Sequence, residues 1–154
     1  VFRRADAPEA TYPELLAVYH RAPAAVVCLV SAAAVHDLTD EIPRAVQIAV
    51  PRGTRPPRIS YPPVQVHHFD AVTFDLDMDA VDAAPGEPVR VYSPARTVVD
   101  LMRLRHRIGA PLALVALRRY LSSPGSHPGH LLDLARALDV LGPVRSAVDV
   151  LEAS

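Results

Sequence analysis

Hydrophobic positions recur every three or four residues in the first and last thirds of the chain and every second residue in the middle. Those are the spacings of one helix face and one sheet face, so helices are expected at both ends with strands between them. In the first third, Tyr12, Leu15, Leu16 and Tyr19 form a helical stripe, and Thr11 with Glu14 three residues later reads as the capping box that starts it. Ala24 to His36 is expected as a second helix, its Ser-Ala-Ala-Ala continuation outweighing the strand-like Val-Val-Cys-Leu-Val at its start. Ahead of both, Val1 to Arg4 reads as the end of a strand and Ala5 to Ala10 as a loose link.

The period changes at Arg44. Val46, Ile48 and Val50 alternate with Ala45, Gln47 and Ala49, and Pro51-Arg52-Gly53 supplies a turn. Arg58 to Tyr61 and Val64 to Phe69 read as two short extended pieces at sheet edges, because prolines separate them. Ala71 to Ala80 alternates most cleanly, with Val72, Phe74, Leu76 and Met78 on one face and Thr73, Asp75, Asp77 and Asp79 on the other. Asp82 to Pro88 reads as a turn and Val89 to Tyr92 as the next strand. Ser93-Pro94 then gives an N-cap and a preset first helical residue. On the helix that follows, Arg96, Asp100, Arg103 and Arg107 share a charged face, with Val98, Leu101 and Ile108 turned elsewhere. Two further helices carry Leu114, Leu117 and Leu121, then Leu131, Leu134 and Leu138; Gly142-Pro143 stops the latter, and a last helix holds Val144, Val148 and Leu151. The order predicts an α+β fold: a small, mostly antiparallel sheet flanked by helices, in one domain over 11–154 that is helical from about 94.

A chain of 154 residues, half of them hydrophobic, suffices for one ordinary core. Its net charge of −1 gives no general affinity for nucleic acid or membranes. All its basic residues other than histidine are arginine, which reads as coding bias. The single cysteine, Cys28, excludes an internal disulfide and fits a reducing cytoplasm. The longest apolar run, Ala22 to Val35, falls short of the roughly 20 residues that span a bilayer. Because the chain opens at Val1, the expectation is a piece of a longer protein whose preceding part holds some of the function.

Candidate chemistry is sparse. Asp75, Asp77 and Asp79 have the spacing of the first ligands of an EF-hand, but Ala80 stands where its glycine belongs and Gly86 where its bidentate glutamate belongs. His67 and His68 point to opposite faces of a strand, and His127 and His130 flank Pro128-Gly129 with no carboxylate beside them before Asp133. No metal and no cofactor is expected. Cys28 lies in an apolar segment and Ser31 lacks a glycine elbow, so neither reads as a nucleophile. The arginines are segregated: Arg44, Arg52, Arg55 and Arg58 share a proline-rich turn without an acid, and Arg90, Arg96, Arg103, Arg105, Arg107, Arg118 and Arg119 are opposed only by Asp100. Asp70 to Glu87 holds six acids and no base. Either this is a bipolar binding surface, or the two segments face and neutralise each other, which is slightly favoured.

Ser31-Ala-Ala-Ala-Val-His-Asp-Leu38, Ile42-Pro43, the strand Val46 to Val50 with Pro51-Arg52-Gly53, and Val89-Arg-Val-Tyr-Ser-Pro-Ala-Arg-Thr-Val-Val-Asp100 together resemble the AbiEi family of bacterial antitoxins and transcriptional regulators, over about Val1 to Leu121. The resemblance implies the antitoxic C-terminal domain of a type IV, abortive-infection toxin–antitoxin system, cytoplasmic and not an enzyme, opposing a nucleotidyltransferase toxin or its pathway. It also implies a winged helix-turn-helix for operator DNA, ending near residues 1–10 and otherwise missing from this chain. Charge segregation, not the motif, nominates Arg52, Arg55, Arg58, Arg96, Arg103 and Arg107 as an interaction surface. Ser93 and Asp100 match the motif and suit structural roles, a cap and a partner for Arg96 or Arg103. Two rival readings are a ligand-sensing or dimerisation domain of a regulator and a metal-dependent nuclease or nucleotidyltransferase-like enzyme using Asp75 and Asp77.

Overall fold

The computed structural model describes residues 10–153, so the expectations on Val1 to Arg4 lie outside the described residues. In chain order its elements are α1 (Pro13–Arg21), β1 (Val26–Val27), α2 (Leu29–Val35), β2 (Val46–Pro51), β3 (Val64–Phe69), β4 (Met78–Ala84), β5 (Glu87–Tyr92), α3 (Pro94–Arg103), α4 (Arg105–Ile108), α5 (Ala110–Ser122), α6 (Pro128–Ala137) and α7 (Leu141–Ala153). The class is α+β with a helical C-terminal part. The sheet runs β3-β2-β1-β5-β4; β1 pairs antiparallel with β2, and β4 with β5, while β2–β3 and β1–β5 are parallel.

Successive sheet residues enter different cores, as the pleat requires. Val26, Ala49, Phe69 and Tyr92 pack against α3, α5, α6 and α7. Their neighbours Val27, Ile48 and Val91 join Leu15 and Val18 of α1 on the opposite face.

Four local expectations are corrected. Helix α1 starts at Pro13 with Tyr12 as N-cap and no side-chain cap bond, so Thr11 and Glu14 do not form a capping box. Proline presets the first turn instead, and the Tyr12 N–H donates to Ala83 O of β4 at 3.0 Å. The expected helix Ala24 to His36 is split: the β-branched pair Val26–Val27 is a buried strand between β2 and β5, and Leu29, at φ 50°, turns the chain into the alanine-rich α2. Arg58 to Tyr61 is not a strand. Gly142 and Pro143 lie in the first turn of α7 and start it rather than stopping α6.

The largest difference is at Ala71 to Ala80. Only its last three residues are strand; 71–77 is a tight turn, and β4 extends to Ala84, shrinking the expected turn Asp82 to Pro88 to Pro85-Gly86. Aspartates make that turn. Asp70 Oδ1 accepts the Val72 N–H at 3.0 Å, and Asp77 takes the left-handed conformation at φ 57°. The alternation thus collapses: Phe74 is buried while Val72 is 91% exposed.

Candidate functional site

The best-built polar arrangement lies where β5 hands over to α3. Ser93 Oγ accepts the Arg96 N–H at 3.0 Å, capping the helix, and donates to Asp77 Oδ2. The Ser93 N–H reaches Asp77 O at 3.1 Å, so one serine starts α3 and ties it to the turn before β4.

One turn into α3, Arg96 is 0% exposed. Its Nε donates to Asp100 Oδ2 at 2.9 Å, and its Nη1 donates to Thr73 O at 2.7 Å and Leu76 O at 2.9 Å. Those carbonyls belong to the 71–77 turn, whose backbone has no ladder to satisfy it; the guanidinium stands in for a partner strand. The Arg96 guanidinium carbon lies 4.3 Å from the centre of the Tyr92 ring, and Tyr92 OH donates to Phe74 O at 2.8 Å.

Asp100 is also 0% exposed and serves two cations, since Arg103 Nη2 donates to its Oδ1 at 3.0 Å. Burial pushes the Asp100 carboxyl up from its ordinary value, and the guanidiniums of Arg96 and Arg103 pull it back. Arg103 is 28% exposed and lies over Phe69, 4.9 Å from the ring centre. The expected pairing of Asp100 with Arg96 or Arg103 is therefore with both.

Burial corrects the nominated surface at Arg96, which is 0% exposed and so presents no outer face to a macromolecular partner, although it lines the floor of a cleft. Arg52, Arg55, Arg58 and Arg107 are exposed. Arg52 follows β2, its N–H held by Phe69 O at 2.7 Å, and with Arg96, Arg103, Phe69, Asp70, Thr73 and Asp139 it lines a cleft of about 220 Å³. Arg107 lines a neighbouring cleft of about 320 Å³ with His67, Gln65 and Glu41. Arg55 and Arg58 line neither. His67 is buried, its Nε2 has no hydrogen-bond partner among the described residues, and burial, Arg107 and Arg103 hold its pKa below the ordinary 6.5. Among the described residues no arginine pairs with an acid of Asp70 to Glu87. Arg96 and Arg103 pair with Asp100 and Arg136 with Asp133 on their own helices, and Arg119 pairs with the distant Asp37 and Asp40, while Asp70 of the acidic segment lines the cleft of Arg52, Arg96 and Arg103 without an ion pair.

A second constellation was not legible in the sequence. His130 Nε2 donates to Asp77 Oδ1 at 2.9 Å, and His127 is the N-cap of α6, its Nδ1 accepting the His130 N–H at 2.9 Å. With Ser93, Tyr120 and Asp133 they line a cleft of about 480 Å³. The dipeptide His127-Pro128 repeats the cap-then-proline signal of Ser93-Pro94 and locates the helix start, but no local signal links His130 to an aspartate 53 residues earlier. Both Asp77 oxygens are engaged by Ser93 and His130, and Asp75 stands exposed in the turn. Among the described residues no three His, Cys, Asp or Glu side chains gather as a metal site.

No helix among the described residues is long and apolar enough to cross a membrane. No curated relative matches the chain's sequence. The family pattern described as the AbiEi antitoxin C-terminal domain matches residues 25–124, from the start of β1 past the end of α5, leaving α1, α6 and α7 outside. That stretch is more than half of the chain and contains the whole Ser93, Arg96, Asp100 and Arg103 cluster, so the protein belongs to the AbiEi antitoxin C-terminal domain family.

Proposed function

We propose that this chain is the antitoxic domain of a type IV toxin–antitoxin system and opposes a nucleotidyltransferase-type toxin in the cytoplasm by interaction rather than catalysis. The family match over 25–124 carries the reading. The motif side chains support it, because Ser93 and Asp100 are committed to holding α3 in place and leave the exposed arginines to make contacts. The exposed Arg52, Arg55, Arg58 and Arg107 and the partly exposed Arg103 supply guanidinium forks suited to carboxylates and phosphates on a partner. Operator binding and autoregulation fall to a winged helix-turn-helix ahead of this domain.

Growth rescue tests the reading. The toxin encoded with this protein is induced while residues 1–154 alone are co-expressed, and growth is expected to recover. Recovery that is lost in Arg52→Glu/Arg107→Glu at unchanged expression and melting temperature assigns the effect to the exposed arginines. Failure of the folded wild-type chain to rescue would refute the antitoxic reading, and full rescue by the charge-reversed chain would refute the part given to the arginines.

A further inference from the structure

We propose that the cleft lined by Arg52, Arg96 and Arg103 is a binding site for a phosphate monoester, with the phosphate on the arginines. The first ground is charge. Among the described residues Arg96 and Arg103 share Asp100 as their only carboxylate partner, and both of its oxygens are used, Oδ2 by Arg96 and Oδ1 by Arg103. The trio therefore keeps one net positive charge at a place where two of its three members are wholly buried. A buried cation is stable when its charge and its donors are both matched, and here one buried carboxylate serves two guanidiniums while the cleft's other carboxylates, Asp70 and Asp139, stand exposed.

The second ground is an orphan donor. Among the described residues Arg96 Nη2 is buried without a hydrogen-bond partner, while Nε and Nη1 of the same guanidinium make three bonds. Buried side-chain donors are rarely left without an acceptor, and a charged one least of all. Arg96 lines the cleft together with Arg103, whose Nε and Nη2 go to Asp100, and with the exposed Arg52. Three arginines lining one polar cleft offer the donors that the several acceptor oxygens of a phosphate take.

Size and rim narrow the ligand. The cleft of about 220 Å³ is below the roughly 300–1,000 Å³ that encloses a drug-sized molecule, so it takes the phosphate and leaves the ester side at the mouth. Asp70 and Asp139 line the same cleft and are exposed, where solvent and salt screen their repulsion. Their carboxylates select an ester side that brings hydroxyl or amino donors, as a sugar or nucleoside does. Ala137, Leu138 and Asp139 come from the end of α6 and the turn after it, beyond the matched residues 25–124, so the pocket is completed by a part of this chain that the family pattern does not cover. The site rests on this geometry and not on the antitoxic reading.

Isothermal titration of the full 154-residue chain at constant ionic strength, first with inorganic phosphate and then with adenosine 5′-monophosphate, tests the proposal. Saturable one-site binding of both is expected, tighter for the monophosphate, and weakened about tenfold by Arg52→Gln but unchanged by Arg118→Gln, which alters an exposed arginine outside the cleft. Asp70→Asn keeps an acceptor for the Val72 N–H and is expected to tighten inorganic phosphate while narrowing the advantage of the monophosphate. Absence of saturable phosphate binding by the folded wild type, or equal binding by Arg52→Gln and wild type, overturns the site. Phosphate binding with no gain for the monophosphate and no response to Asp70→Asn overturns the choice of a monoester. Binding only of single-stranded oligonucleotide, with neither small ligand bound, would show a nucleic-acid surface instead and also overturns it.

Discussion

Replacing Asp100 with asparagine keeps the side chain's shape and removes its charge. In the native fold its two oxygens take the Arg96 Nε–H at 2.9 Å and the Arg103 Nη2–H at 3.0 Å. An amide there offers one acceptor and turns an NH2 group toward the other guanidinium, so a donor meets a donor and Arg96 stays buried as a cation without a counter-ion. Removing one member of a buried ion pair costs about 3–5 kcal/mol, against a whole-domain stability of about 5–15 kcal/mol. For a chain of this size that corresponds to a melting temperature lower by about 6–20 °C. Urea denaturation followed by circular dichroism should show the midpoint falling with little change in slope. The double variant Arg96→Met/Asp100→Leu should lose less than the sum of the two single changes, since it removes the uncompensated charge; what remains is the loss of donors to Thr73 O and Leu76 O, about 1–3 kcal/mol each. An Asp100→Asn protein within about 1 kcal/mol of wild type would refute the claim that a buried charge pair anchors α3.

Two further substitutions probe the surroundings. Ser93→Ala removes the cap of α3 and its bond to Asp77, and a loss of about 1–2 kcal/mol is expected in urea titration; coincident midpoints would mean the cap is idle. His67 has a folded-state pKa below its ordinary 6.5, so the unfolded chain takes up a proton where the folded chain does not. Its contribution to stability is complete above about pH 6.5 and is lost as the pH falls toward the folded value. Arg107→Gln should therefore raise the His67 pKa in an NMR titration and flatten the stability profile between pH 7 and 5; an unmoved pKa would remove Arg107 as a cause.

What the sequence carried was local chemistry. Ser93-Pro94 announced the start of α3, the four-residue spacing of Arg96 and Asp100 announced their contact, and β2, β3 and β5 stood out by their alternation. What it hid depended on distant partners. Val26–Val27 is a strand because β2 and β5 flank it, a fact that two residues cannot encode. The 71–77 segment has the composition of a half-wet strand, yet its carbonyls are taken by an arginine some 20 residues later, and that bond makes the turn affordable. Arg96 itself looked like a surface charge, since a helical spacing shared with Asp100, Arg103 and Arg107 marks a face without saying what covers it. His130 and Asp77 meet only because α6 packs against α3, whose cap Ser93 holds the 71–77 turn, so their contact had no signature.

The short β1 divides the sheet mechanically. To one side lies the β2–β3 ribbon, to the other the β4–β5 ribbon, and only Val26 and Val27 splice them. Arg96 is the second fastening: rooted on α3 just after β5, it grips the 71–77 turn and lies 5.9 Å from the ring centre of Phe69 on β3. A ligand that clamps Arg52, at the end of β2, to Arg96 and Arg103 on α3 would act as a strut across this splice. Its binding would damp the relative sway of the two ribbons and be felt as slower hydrogen exchange at Val26 and Val27, where it touches nothing.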